Sequence, residues 1–164
     1  MSVPKYKRAI SQMEFYRQTM DLYRDVTMQL LVNFEKGLYK DRFETIDGTE
    51  IITVEKYPEE VLKHIKTHAF EILSNMADSV TMANSIYPST LEECRVRRNL
   101  QNQAIGYCNA LLTHYEYMGR VFPRKVSTLL NYADRTQKLQ SLMRGWKQTT
   151  AKIEKQIIKK EKGI

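Results

Sequence analysis

This chain is short of cysteine, proline, glycine and tryptophan, with two, four, six and one among its 164 residues. Cys94 and Cys108 lie fourteen residues apart in one predicted helix. That is about 21 Å along the axis, too far for an intramolecular disulfide. They read as small core hydrophobes in a reducing cytoplasm, and no cysteine pair has zinc spacing. The glycines, at 37, 48, 106, 119, 145 and 163, are scattered, which excludes a phosphate-cradling loop. No apolar run is long enough to span a membrane. The opening MSVPKYKR leads into no apolar stretch, so a secretory signal is not expected. No segment repeats itself, which argues against a helical solenoid.

What is present is helical periodicity interrupted by proline. Met13, Tyr16, Met20, Tyr23, Val26 or Thr27, Leu30 and Phe34 recur at steps of three and four, predicting a helix over 11–37 that ends near Gly37. A second series runs through Leu62, Ile65, Ala69, Ile72, Met76, Val80, Ala83 and Ile86. A third takes Leu91, Cys94, Arg98, Gln101, Ile105, Cys108, Leu112, Tyr115, Met118 and Phe122. A fourth takes Val126, Leu129 or Leu130, Ala133, Leu139, Leu142, Trp146, Ile153 and Ile157. Pro58, Pro88 and Pro123 separate these segments, predicting helices over 58–87, 90–121 and 124–160. Short breaks at Pro88 and Pro123 force antiparallel neighbours. The expected fold is therefore all-α: an antiparallel, up-down-up-down four-helix bundle over residues 10–164. Residues 1–9 form a basic, extended N-terminal arm.

Residues 38–57 differ in character. Asp47–Gly48 sits between Phe43, Thr45, Ile46 and Ile51, Ile52, Thr53, Val54. That pattern predicts a small β-hairpin between helices 1 and 2, with a plain loop as the alternative. The central break, ANSIYPSTLEECRVRR at 83–98, pairs Ser89 with Glu92 at capping-box spacing and sets Arg95, Arg97 and Arg98 just inside the next helix. Arg98 and Gln101 fall on an otherwise apolar stripe, where a cation must be paired or face an opening.

The net charge is +7, unevenly spread. Residues 1–8 carry +3, residues 134–164 carry +6, and the remainder is −2. Basic ends on a near-neutral body suggest a polyanionic partner: nucleic acid (RNA or DNA), an acidic protein or an anionic surface, among which charge alone does not choose. No catalytic set accompanies this charge. His64 and His68 share a helix face, but no Glu-x-x-His partner stands beside them, so neither a metal nor a cofactor is expected. Cys108 and His114 do not share a face, so no thiol–imidazole pair forms within that helix. The ten tyrosines could stack on bases, yet most fall on or beside the apolar stripes, where tyrosine packs its ring and wets its hydroxyl.

The opening MSVPKYKR with Ser11 and Met13-Glu14-Phe15, the hinge ANSIYP, the run from Glu93 to Arg98 and the later Phe122–Pro123 resemble one family. It comprises the accessory variability determinant (Avd) proteins of diversity-generating retroelements. They are related to four-helix-bundle proteins encoded in intervening sequences of large-subunit rRNA genes. The chain departs from the pattern at 38–57, where its linker is longer. The resemblance implies a ring-like homopentamer with a basic surface, bound to a reverse transcriptase and to its template RNA or cDNA. The bundle itself would not be the polymerase. Arg97 and Arg98 match the family's basic pair, and Lys5, Lys7 and Arg8 match its basic arm.

From position alone, Arg95 joins them, with Arg124, Lys125, Arg135 and Lys138 as further nucleic-acid candidates. Two other readings stand beside this one: a general RNA- or ribosome-associated bundle without a polymerase partner, and an enzyme with a site in the bundle core.

Overall fold

The computed structural model describes the backbone of residues 5–34, 40–46, 49–55, 59–122 and 125–163, and side chains within 14–34, 59–122 and 125–163. The first helix, α1, spans Lys5–Asp25 and runs on through a π-helical turn, Val26–Leu31. Strands β1 (Lys40–Ile46) and β2 (Thr49–Glu55) follow, and then helices α2 (Glu59–Ser85), α3 (Leu91–Val121) and α4 (Val126–Glu161). The strands pair antiparallel, from Lys40 opposite Glu55 to Ile46 opposite Thr49. Asp47, Gly48 and Gly37, on which the turn and the first C-cap were placed, lie outside the described residues.

Cross-helix contacts fix the topology. On α3 and α4 the pairs Arg98–Glu154, Gln101–Thr150, Cys108–Met143 and Tyr115–Thr136 step in opposite directions along the chain. So do Arg97–Ile86, Cys108–Met76 and His114–Ile65 between α3 and the α2 segment. Phe15–Trp146 and Asp25–Arg135 do the same between α1 and α4. Neighbours are thus antiparallel and the bundle is up-down-up-down. Phe34 meets Phe122 edge to face, with centroids 4.9 Å apart, which sets the ends of α1 and α3 together. Such an aromatic pair adds about 0.5–1.5 kcal/mol beyond its buried area.

Three features differ from the sequence reading. First, residues 5–9 are not an extended arm, because α1 begins at Lys5. Pro4 lies just ahead of them in the sequence, and from Lys5 to Gln18 there is no proline or glycine to stop a helix. Second, the buried face of α1 is Phe15, Thr19, Leu22 and Val26, while Met20 is exposed. Thr19 fits the interior because its hydroxyl donates to the Phe15 carbonyl, 3.0 Å away. The wider π turn then advances the helix so that Leu30 and Leu31 are both buried.

Third, the stripe on α3 differs from the predicted one at three positions. Arg97, Ala104 and Leu111 are buried where the spacing predicts Arg98, Ile105 and Leu112, while Cys94, Gln101, Cys108, Tyr115, Met118 and Phe122 are buried as predicted. Arg97, Gln101, Ala104, Cys108, Leu111, Tyr115, Met118 and Phe122 are buried at alternating steps of four and three, the spacing of a helix seam. Arg98, Ile105 and Leu112 flank it. On α4 the seam is partly polar. Thr136, Gln140, Thr150 and Glu154 are buried among Leu129, Leu139 and Met143, whereas Leu130 and Leu142 are exposed.

Candidate nucleic-acid interface

The α2–α3 connection is held by polar contacts from α3. Thr90, extended at φ −122° and ψ 163°, caps the helix: its hydroxyl accepts from the Glu93 backbone N–H at 3.1 Å. The Glu93 carboxylate accepts from the backbone N–H groups of Thr90 and Ser89, each at 3.0 Å, and from the Ser89 hydroxyl. The capping box therefore uses Thr90 and Glu93, one residue later than the Ser89 and Glu92 spacing proposed. Ser89 is occupied instead in the turn, where its N–H also lies 2.9 Å from the Tyr87 carbonyl. The Ser89 contacts, first the hydroxyl, hold the Glu93 carboxyl below the usual range.

Arg97 belongs to this connection as well. It is 5% exposed, and its Nη1 donates to the Ile86 carbonyl at 3.0 Å. Its guanidinium carbon sits 5.2 Å from the centroid of the Trp146 ring. No basic residue lies in the last turn of α2, so Arg97 brings α3's cation to the negative end of that helix. Burial pulls its pKa below the ordinary value. Arg97 is withdrawn from any phosphate, which is what its place on the inner seam requires. Arg98 is ion-paired to Glu154; its side chain is 36% exposed and that of Glu154 only 10%. That guanidinium's charge is thus engaged by a carboxylate of α4.

Arg95 is different: it is exposed and, among the described residues, forms no ion pair. It lies one turn before Arg98 on the same face of α3, and Arg98 reaches α4, so Arg95 stands on the α4 side of the hinge.

The antiparallel path brings more cations to this place. Between residues 144 and 162, α4 and its end carry seven Lys or Arg against two Glu. Lys152, Lys155, Lys159 and Lys162 are exposed, unpaired among the described residues, and spaced so that they line one face. Arg144, Lys147 and Lys160 flank that line. Part of this charge serves the helix itself, since Lys159 and Lys160 in the last turn offset the α4 dipole. The Phe15–Trp146 contact also directs the first turns of α1 toward the same end of α4. Those turns contain Lys5, Lys7 and Arg8, whose side chains lie outside the described residues.

Of the other candidates, the described ones do not join this group. Arg124 lies outside the described residues. Lys125 Nζ stands 5.9 Å from the Phe34 ring centroid, at the far end of α4. Arg135 bonds Asp25 at 2.8 Å and lies over the Tyr132 ring. Asp25 is held below the usual carboxylate range, first by Arg24 and then by Arg135. Lys138 pairs with Asp134 at 2.9 Å on the surface. Lys138 and Lys155 are separated by about 26 Å of helix.

The lysines at 147, 152, 155, 159, 160 and 162 were not singled out from the sequence. Their signal was the +6 excess after residue 134, which becomes a site only once α4 is known to run back to the hinge.

Elsewhere, an open groove of about 710 Å³ runs between α3 and α4 at the opposite end, lined by Leu112, Leu130 and Ala133 among others. Its Glu116 and Arg120 pair with each other at 2.8 Å. His64 and His68 are exposed and their rings stack, 6.0 Å apart. Among the described residues no set of three histidine, cysteine or carboxylate side chains could hold a metal, and no helix is long and apolar enough to cross a membrane. No family model, curated protein or solved structure matches the chain.

Proposed function

We propose that this chain is a non-catalytic accessory protein of a diversity-generating retroelement, bacterial or phage-encoded and working in the cytoplasm. It holds RNA or DNA beside the element's reverse transcriptase and so supports mutagenic cDNA synthesis during retrohoming. The observation that carries the nucleic-acid part is the convergence of three basic segments on one end of the bundle. These are the start of α1, Arg95 on α3, and the lysine line of α4. The polymerase partner and a homopentameric assembly rest on the Avd resemblance. Repeating a +7 chain around a ring would multiply weak phosphate contacts into avid, salt-sensitive binding.

The test is capture of the tagged chain from its host, with sequencing of the bound nucleic acid and identification of bound protein. The expected result is a reverse transcriptase together with transcripts of a template repeat. Ribosomal RNA without a polymerase would instead identify a general RNA- or ribosome-associated bundle. Recovery of neither nucleic acid nor polymerase would overturn the proposal.

A further inference from the structure

At mid-bundle three sulfur atoms converge from three helices. Cys108 Sγ on α3 lies 3.7 Å from Met76 Sδ on α2 and 3.5 Å from Met143 Sδ on α4. All three residues are completely buried. One S–H can donate to only one thioether at a time, so hydrogen bonding alone does not account for two thioethers on one thiol. A metal ion that binds a thiol does so by replacing its proton.

A soft monovalent cation is suited to that role. Thiolate and thioether sulfur select copper(I) among the biological metals, and silver(I) shares its preference. With copper(I)–sulfur bonds taken at about 2.3 Å, the zinc–thiolate length, a trigonal array of three sulfurs has edges of about 4.0 Å. The two observed edges are a few tenths of an ångström shorter, a difference that methionine's three rotatable bonds can absorb. Charge points the same way. One M⁺ and one thiolate make a neutral unit, which an apolar core accepts, whereas a divalent ion would leave a net positive charge buried. Zinc would further require a fourth ligand, whereas this cluster supplies three sulfurs. Cys94 sits about 21 Å along the same helix and takes no part.

We propose that Met76, Cys108 and Met143 form a binding site for one soft monovalent cation, copper(I) or silver(I). On binding, the Cys108 S–H bond breaks, its proton passes to solvent, and an Sγ–metal bond forms while both thioethers donate lone pairs. The metal enters and remains in the +1 state, so no oxidant or reductant is consumed. The site is independent of the nucleic-acid surface, since no cation of the basic end contributes to it.

Silver(I) is the probe, because it needs no reductant. The chain is refolded with one equivalent of silver(I) and dialysed against free methionine, a competing thioether. Retained silver is measured, and X-ray absorption counts the sulfur neighbours. Wild type and Cys94→Ala should each retain one silver ion per chain, with three sulfur neighbours in wild type. Cys108→Ala should retain none. Met143→Leu, which conserves volume and preserves the fold, should lose one sulfur neighbour and release silver to methionine. Folded wild type that retains no silver would overturn the proposal. So would full retention by Cys108→Ala, or a sulfur shell in Met143→Leu identical to that of wild type.

Discussion

Arg97 Nη1 donates to the Ile86 carbonyl across 3.0 Å, so a residue on the first turns of α3 closes the chain end left by α2. The same guanidinium lies over Trp146 of α4. Three helices are therefore tied together by one buried side chain. Among the described residues no carboxylate pairs with it, and the Ile86 carbonyl, just past the end of α2, supplies its partner.

Replacing Arg97 should consequently cost stability rather than phosphate contacts. A hydrogen bond from a charged donor contributes about 1.5–3 kcal/mol, and a buried cation–π contact up to about 2. Arg97→Ala is expected to lose about 3 kcal/mol in denaturant melts, while the protein that remains folded binds nucleic acid with an unchanged salt slope. Arg95→Ala should do the reverse: melt as wild type and bind with a shallower slope.

Arg98 and Glu154 make a second tie, between α3 and α4. Removing the arginine leaves a carboxylate whose side chain is 10% exposed without its cation. Because the guanidinium itself is partly solvated, the expected loss for Arg98→Met is about 1–2 kcal/mol, less than for a fully buried pair. Adding Glu154→Leu should restore most of it. A double-mutant cycle that gives no coupling would contradict this.

Stability should also fall in mild acid. His114 is buried on α3 with Nε2 2.9 Å from the Ile65 carbonyl; the His68 ring packs edge-on at 4.8 Å, with His64 beyond it and the Tyr117 ring alongside. Burial first, and then the charges of His68 and His64, lower its pKa below 6.5, against the partial support of the Ile65 carbonyl. A histidine with a depressed folded pKa binds fewer protons folded than unfolded. Its contribution is therefore complete above about pH 6.5 and is lost as pH falls toward the folded value. Urea midpoints measured from pH 7.5 to 5 should decline over this window, and the decline should be smaller in His114→Gln.

How legible these features were depended on hydrophobic contrast. On α2 the predicted series from Leu62 to Ala83 is buried throughout, because apolar and polar residues alternate sharply there. On α3 the register turns on Arg97 and Arg98, two identical side chains, and spacing alone gave no reason to prefer the buried one. On α4 the seam passes through Thr136, Gln140, Thr150 and Glu154, polar residues that are buried because each hydrogen-bonds a partner on α3. A reading that follows apolar residues then selects Leu142, which is exposed. The basic line of α4 was visible as charge but not as a place, since its place follows from the antiparallel pairing with α3.

The central claim is that nucleic acid lies along the hinge end of the α3–α4 face. Its most direct measurement is binding of a labelled single strand across a salt series, by Lys152→Gln/Lys155→Gln/Lys159→Gln beside an opposite-end control, Arg120→Gln/Lys138→Gln, with thermal melts of both. Each phosphate contact on a single strand contributes about 0.7 to the slope of log K against log salt. Neutralising three lysines should therefore flatten the slope by about 2, while the control keeps the wild-type slope. An unchanged slope in the triple variant, or a flattened one in the control alone, would contradict the assignment.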